Sequence, residues 1–402
     1  MSGQAVRANQ LQTRRPAELP ASLDGQIVVI FGILALLGLV MVTSASIAVA
    51  DGQLNDPFYY GKRQLLRLIL GATLMWLAYR VPTSIWRKNG MLLMLSSILL
   101  LALILIPGVG RTVNGATRWL DLGLFTIQVS EVAKLFLIIY LSGYLVRRSN
   151  EVQTGMMGFV KPMIILAVVS GLLLMEPDFG AAAVLLATGL GMMFLGGVRF
   201  GHFLGFVSGT LSIMVMLALI SPYRLARITS FLDPWADPFN SGFQLTQSLI
   251  AIGSGGLFGV GLGGSIQKLF YLPEAHTDFL FAVYAEELGL LGAILLIGVY
   301  CWFIARCFSI GRTALMQGLA FGAYLVYGVA LLVAVQALVN IGVNMGALPT
   351  KGLTLPFMSY GGNSILVMSF AIGIVLRVHY ENVEQALENS GRKPRSGRQT
   401  AS

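Results

Sequence analysis

The sequence predicts an all-α integral membrane protein. It should have about ten transmembrane helices, both termini in the cytoplasm, and a long extracytoplasmic loop between spans 7 and 8. Three observations lead there. Of 402 residues, 56% are hydrophobic and only 11% charged, against about 25% charged in an ordinary soluble domain. The apolar residues fall in continuous runs near the roughly twenty residues that cross a bilayer as a helix, not in the alternating ten-residue segments of a membrane barrel. Basic residues also favour one set of alternate connections, 17 against 10, which supports one orientation under the positive-inside rule. A soluble enzyme is excluded, since so much apolar surface cannot be kept from water, and disordered chains are apolar-poor. The net charge of +9 reads as topology and contact with membrane lipids, not as nucleic-acid binding.

The first 23 residues form a polar tail carrying Arg7, Arg14 and Arg15. They lack the apolar core and small-residue cleavage site of a signal peptide. The run Gln26–Ala50 is therefore expected to stay as the first span. Further runs lie at 65–81, 90–107, 128–146, 159–175, 180–197, 203–221, 288–307, 314–340 and 360–378. The membrane domain is taken as 24–380, with a large outer loop at 222–278 and a basic tail at 381–402. With the N-terminus inside, the inner side holds Arg7, Arg14, Arg15, Arg80, Arg87, Lys88, Arg147, Arg148, Lys161, Arg199, Arg306, Arg312, Arg377, Arg392, Lys393, Arg395 and Arg398, which is 17 of the 27 Lys and Arg residues. Cys301 and Cys307 share one span on different helical faces, so neither a disulfide nor a metal pair is expected.

Polar chemistry concentrates on the outer side. The loop after span 7 holds Arg224 and Arg227, then a moderately apolar stretch, Phe243–Ile252, that suits an interfacial or re-entrant helix. Gly259, Gly261 and Gly264 formally match G-x-G-x-x-G. No βαβ context surrounds them, so a tight-turning loop is the better reading. The loop ends on Lys268 and the string Tyr271-Leu272-Pro273-Glu274-Ala275-His276-Thr277-Asp278-Phe279, with Glu286 and Glu287 just beyond. Continuous helix from Phe279 to Cys307 exceeds one untilted span, which places Glu286 and Glu287 at or above the outer interface. Asp278 suits either an N-cap for that helix or a reacting carboxylate. Glu274, His276 and Asp278 match no strong metal spacing, though such groups do bind cations.

A second concentration runs from Arg111 through Arg118 and Trp119 to Gln128, Ser130, Glu131 and Lys134. Glu131 and Lys134 stand at i, i+3 and can pair, either as a purely structural couple or as part of a substrate cavity. A third, Asn340 to Ser364, is broken by Pro349, Pro356 and several glycines and places Lys351 among hydroxyls such as Ser359. A smaller break, Glu176-Pro177-Asp178, reads as a helix stop with acidic caps for the next helix.

Three segments together resemble the SEDS family of bacterial cell-wall polymerases (shape, elongation, division and sporulation). They are Asn114-Gly115-Ala116-Thr117-Arg118-Trp119 with Gln128–Lys134, Tyr271–Phe279 with Glu286-Glu287-Leu288-Gly289, and Leu348–Ser364. The resemblance covers the whole membrane domain. The spellings Gly264–Leu269 and Leu348–Pro356 are those of the division branch, not the elongation branch. Asn363 and Val129 depart from the usual Ser and Pro, and neither touches the acidic motif.

The resemblance implies a glycosyltransferase that polymerises lipid II at the outer face of the inner membrane, at the division septum. It implies as partners a class B penicillin-binding protein transpeptidase (FtsI-like) and other division proteins. It makes Asp278 the catalytic residue. The chemistry agrees in outline. An acceptor hydroxyl attacks an anomeric carbon while diphosphate leaves, so a carboxylate can take the proton and nearby cations can stabilise the departing charge. Arg118, Trp119, Arg224, Lys268, Lys351 and Ser359 are the candidate substrate-binding residues, and Mg2+ or Mn2+, with Asp278 as a ligand, is a candidate aid. A lipid II flippase is the alternative, but it needs a polar path through both leaflets. A scaffold that only recruits the transpeptidase would need no acidic residue in an outer cleft.

Overall fold

The computed structural model describes residues 23–113, 116–121, 126–220, 231–240, 242–349 and 352–390. In chain order the helices are α1 (Gly25–Leu54), α2 (Tyr59–Arg80), α3 (Thr83–Ile104), α4 (Val129–Arg147), α5 (Ser149–Thr154), α6 (Met156–Met175), α7 (Phe179–Leu195), α8 (Phe200–Ile220), α9 (Phe243–Ser254), α10 (Leu280–Met316), α11 (Ala320–Asn344) and α12 (Ser364–Asn389). Among the described residues seven helices are long and apolar enough to cross a membrane: α1, α3, α4, α6, α10, α11 and α12. α7 and α8 are apolar over shorter lengths. α2 is the odd one, carrying Lys62, Arg63, Arg67 and Arg80. The run expected at 314–340 is divided instead, because α10 continues to Met316 and α11 starts at Ala320 after a turn at Gly318. Hydropathy follows apolar content alone, and it is blind to a turn made of residues that are not strongly polar.

α4 is the centre of the bundle. Its sequence is apolar all round apart from a few polar groups, which marks a buried helix, and most of it is enclosed. α11, α7 and α3 pack on it, while α2 lies along α12 and α10 along α11. At one end Asp24 caps α1 by accepting from the Ile27 amide at 2.9 Å, and its other oxygen receives Arg306 Nε at 2.9 Å. That carboxylate therefore ties α1 to α10, with His379 of α12 at 3.5 Å.

Between α3 and α4, where the sequence suggested only a polar connection, the chain forms an antiparallel sheet of β1 (Gly110–Val113), β2 (Ala116–Asp121) and β3 (Thr126–Gln128) in the order β1-β2-β3. Thr, Ile and Trp interleaved with polar residues suit a half-buried strand. Trp119 stands opposite Arg111 on one side and Gln128 on the other.

α10 is not continuous helix. Gly289 takes φ 67°, ψ −169°, a conformation essentially confined to glycine. The glycine-rich loop fills the break. Val260 N donates to Glu286 O at 3.0 Å and Gly261 N to Glu287 O at 3.1 Å, while Leu290 N donates to Gly256 O at 2.9 Å. The loop expected merely to turn tightly thus completes the hydrogen bonds that the interrupted helix leaves open, as buried backbone groups require. Glu286 and Glu287 are enclosed by the fold, at 2% and 0% exposure.

Candidate active site

Asp278 stands half-buried at the mouth of α10, and its surroundings are built by α11. Gln336, Asn340 and Asn344 recur at i, i+4, i+8 on that helix, so they form one polar stripe. Asn344 Nδ2 donates to Asp278 O at 3.1 Å and Asn340 Nδ2 to the same carbonyl at 2.8 Å. Asn344 Oδ1 accepts from Ala282 N at 3.1 Å. A first-turn amide of α10 is therefore satisfied by Asn344, a capping task the sequence offered to Asp278. The carboxyl group lies against the broken segment after α11, where a Cβ on Gly352 would come within 3.1 Å of Asp278 Oδ2.

The stripe continues inward. Asn340 Nδ2 also donates to Leu353 O at 2.5 Å, and Gln336 Nε2 to Thr354 O at 3.1 Å. Gln336 Oε1 accepts from Lys134 Nζ at 3.2 Å, and that ammonium lies 2.8 Å from Glu131 Oε1. Glu131 and Lys134 are 5% and 1% exposed. A charged pair is expensive inside a membrane protein unless hydrogen-bonded. Here it is the inner anchor of a chain of contacts that ends on the Asp278 backbone. Gln336 escaped the sequence reading. Its signal was available as a lone polar side chain one helical turn before Asn340.

The expected substrate-binding residues separate. Lys268 Nζ donates to Glu287 Oε1 at 2.8 Å, Ser44 Oγ at 2.9 Å and Gly263 O at 2.7 Å. All three ammonium protons are engaged within the fold and the residue is 8% exposed. Ser359 is buried, and its hydroxyl accepts from Leu355 N at 2.9 Å to close a turn. Arg118 donates through Nη2 to Pro177 O at 2.5 Å and lies 3.9 Å from Asp178 Oδ2. It holds the connection between α6 and α7, where Asp178 caps α7 through Ala181 N at 3.1 Å. Trp119, next to Arg118 on β2, is half-buried. Arg224 and Lys351 lie outside the described residues, as does Arg227.

Two groups near this face have displaced protonation. Burial pushes the Glu176 carboxyl up to about 8, aided by Asp178 and opposed by Arg118. Burial lowers His276, against the pull of Glu274. The His276 ring lies 4.6 Å from Tyr60 and 5.6 Å from Tyr360. Glu274 is exposed and receives Thr277 Oγ1 at 2.7 Å. Among the described residues no three carboxylate, imidazole or thiol groups converge as metal ligands.

Residues 25–384 match the model of the FtsW/RodA/SpoVE family of cell cycle proteins. The chain belongs to this family. It is 55% identical over 391 residues to a probable peptidoglycan glycosyltransferase FtsW of Thioalkalivibrio sulfidiphilus, covering 97% of each chain. It is 55% identical over 363 residues to the protein of the same description from Coxiella burnetii, covering 90% of this chain and 97% of that one. Among solved structures, a peptidoglycan synthase complex described as coordinating polymerization and crosslinking contains a chain with TM-score 0.75 and 31% identity, covering 90% of this chain and 98% of that one. The rod shape determining protein RodA of Thermus thermophilus matches with TM-score 0.66 and 30% identity, covering 91% and 99%. The helices, the broken segments and the polar stripe described above are this family member's framework.

Proposed function

We infer that this chain is a peptidoglycan glycosyltransferase of the division type, which polymerises lipid II into glycan strands at the outer face of the inner membrane. The observation that carries the reading is the presentation of Asp278. Two asparagines of α11 fix its carbonyl while its carboxyl stands against the glycine of a broken outer segment. A carboxylate so held can take the proton of the acceptor hydroxyl as the new bond to the anomeric carbon forms and the bond to diphosphate breaks. Preorganisation of the carboxylate is what the polar stripe supplies. Lys351 precedes Gly352 directly in sequence, so it is the cation proposed to face the departing diphosphate, with Arg224. Arg118 supports the site through the 176–178 connection. Mg2+ or Mn2+ is a proposed aid that would offset charge on the departing diphosphate.

The proposed topology is ten spans, with α2, α7 and α8 completing the seven strongly apolar helices, and both termini cytoplasmic. The proposed setting is the division septum, with a class B penicillin-binding protein as partner, joined by other division proteins. Residues 329–335 of α11 are all apolar, so inward of Gln336 this helix offers lipid II no polar path to cross.

The test is polymerisation of lipid II by the purified protein with its transpeptidase partner. Asp278→Asn is expected to insert, bind the partner and lose about 10²–10⁴-fold in rate, the usual worth of a general base. Polymerisation above half the normal rate would remove Asp278 from this role.

A further inference from the structure

α2 carries a cation that no carboxylate among the described residues neutralises. The Arg67 guanidinium lies over the Tyr360 ring, 4.2 Å from its centroid. Its Nη1 is shielded from solvent and has no hydrogen-bond partner. No carboxylate pairs with it among the described residues. An enclosed guanidinium N–H without an acceptor is costly, and ionisable groups within membrane helices ordinarily pair or line a cavity.

The surroundings sharpen the point. A Cβ on Gly362 would meet Arg67 Nη2 at 3.2 Å and Cζ at 3.3 Å. Gly362 stands two residues before α12, a 26-residue helix whose Asn363 N-cap makes no side-chain capping bond. A helix N-terminus carries partial positive charge, so a guanidinium beside it is a repulsive arrangement unless an anion lies between them. One turn back, Gln64 is fully buried and donates to Met358 O at 3.3 Å. That bond fixes α2 in register against the same segment. Tyr360 N donates to His276 O at 3.0 Å, so the ring beneath Arg67 is tied to the loop that presents Asp278 two residues on.

We propose that Arg67, seated on Tyr360 beside Gly362 and the start of α12, binds the phosphate-bearing head of a membrane lipid. Resting on the function proposed above, the geometry favours the lipid-linked diphosphate, since the site adjoins the Asp278 loop. A phosphatidylglycerol headgroup offers the same chemistry and is the other source. Arg67 is a binding residue in this scheme and exchanges no proton.

The experiment uses the full chain with its transpeptidase partner in nanodiscs, one set of phosphatidylcholine alone and one containing phosphatidylglycerol. A polyprenyl diphosphate is the binding probe and lipid II the substrate. Arg67→Gln is expected to weaken probe binding and raise KM for lipid II by about tenfold to a hundredfold, the worth of a hydrogen bond to a charged group, with kcat within about threefold. Arg67→Lys is expected to recover part of the loss. Gly362→Ala keeps every charge but crowds the guanidinium, so it should weaken the probe with unchanged melting temperature, which covers the case that Arg67→Gln fails to fold. Unchanged probe affinity in both variants, with only a lower melting temperature, would mean a structural arginine and overturn the proposal. An effect confined to phosphatidylglycerol discs would assign the site to that headgroup and overturn the diphosphate assignment. Wild-type protein that binds the probe through Arg67 yet makes no glycan would refute the proposed function while leaving this site standing.

Discussion

Among the described residues, two buried lysine–glutamate pairs each have Nζ 2.8 Å from Oε1, and they do different things. Glu131–Lys134 is local, one turn apart on α4, and reaches outward through Gln336 to the polar stripe that holds Asp278. Lys268–Glu287 joins residues nineteen apart and fastens the glycine-rich loop to α10 beside its break, with Ser44 of α1 as a shared hydrogen-bonding partner. In both pairs the second glutamate oxygen is buried without a partner. Identical ion-pair geometry therefore says nothing about role. What the ammonium touches next decides it: another side chain on the way to the reacting group, or the backbone of a loop.

The sharpest way to break this comparison is to remove one partner of each pair. Glu131→Ala leaves Lys134 enclosed with only the Gln336 oxygen, and breaking a buried pair typically costs about 3–5 kcal/mol. Loss of both folded yield and polymerisation is expected, and a Glu131→Gln, Lys134→Met double variant should recover yield better than activity. Normal yield and activity for Glu131→Ala would show that the stripe does not depend on it. Lys268→Met should cost less, about 1–3 kcal/mol, because Glu287 keeps the Ser44 hydroxyl as a donor. Its activity per folded molecule is expected to stay near normal in a thermal-shift and polymerisation comparison. Asn344→Ala removes the bonds to Asp278 O and Ala282 N, worth about 1–2 kcal/mol of stability together. Here the drop in kcat should exceed the drop in melting behaviour, which would confirm that the stripe positions the carboxylate.

The last test is one of pH. Glu176 has a carboxyl raised to about 8 from an ordinary value near 4.5, so the folded chain holds a proton there that the unfolded chain gives up. Stability from this group is therefore full below about 4.5 and is lost as pH rises through about 8. Glu176→Gln should flatten that part of a melting-temperature profile and gain relative stability at pH 8.5. An unaltered profile would mean that Glu176 is ionised in the fold.

Some of this was written plainly along the chain. Unbroken apolar runs fix a helical membrane protein, since only helices satisfy every backbone group within one apolar segment. The i, i+3 spacing of Glu131 and Lys134, the capping role of Asp178 and the helix at Phe243–Ser254 are likewise properties of near neighbours, and the acidic string ending at Asp278 is a linear signature. Tertiary structure alone decided the rest. Nothing local distinguishes Lys268, locked to Glu287, from a cation awaiting substrate. Nothing local shows that Gly289 interrupts α10 or that Gly256, Val260 and Gly261 supply its missing partners. Nothing local shows that Arg118 reaches the α6–α7 connection, or that Arg67, half-buried in a run read simply as apolar, keeps a guanidinium nitrogen unmatched. The physical reason is the same in each case. Periodicity and capping depend on residues within a turn or two of each other, but whether a buried charge is already satisfied depends on groups brought to it from distant parts of the chain.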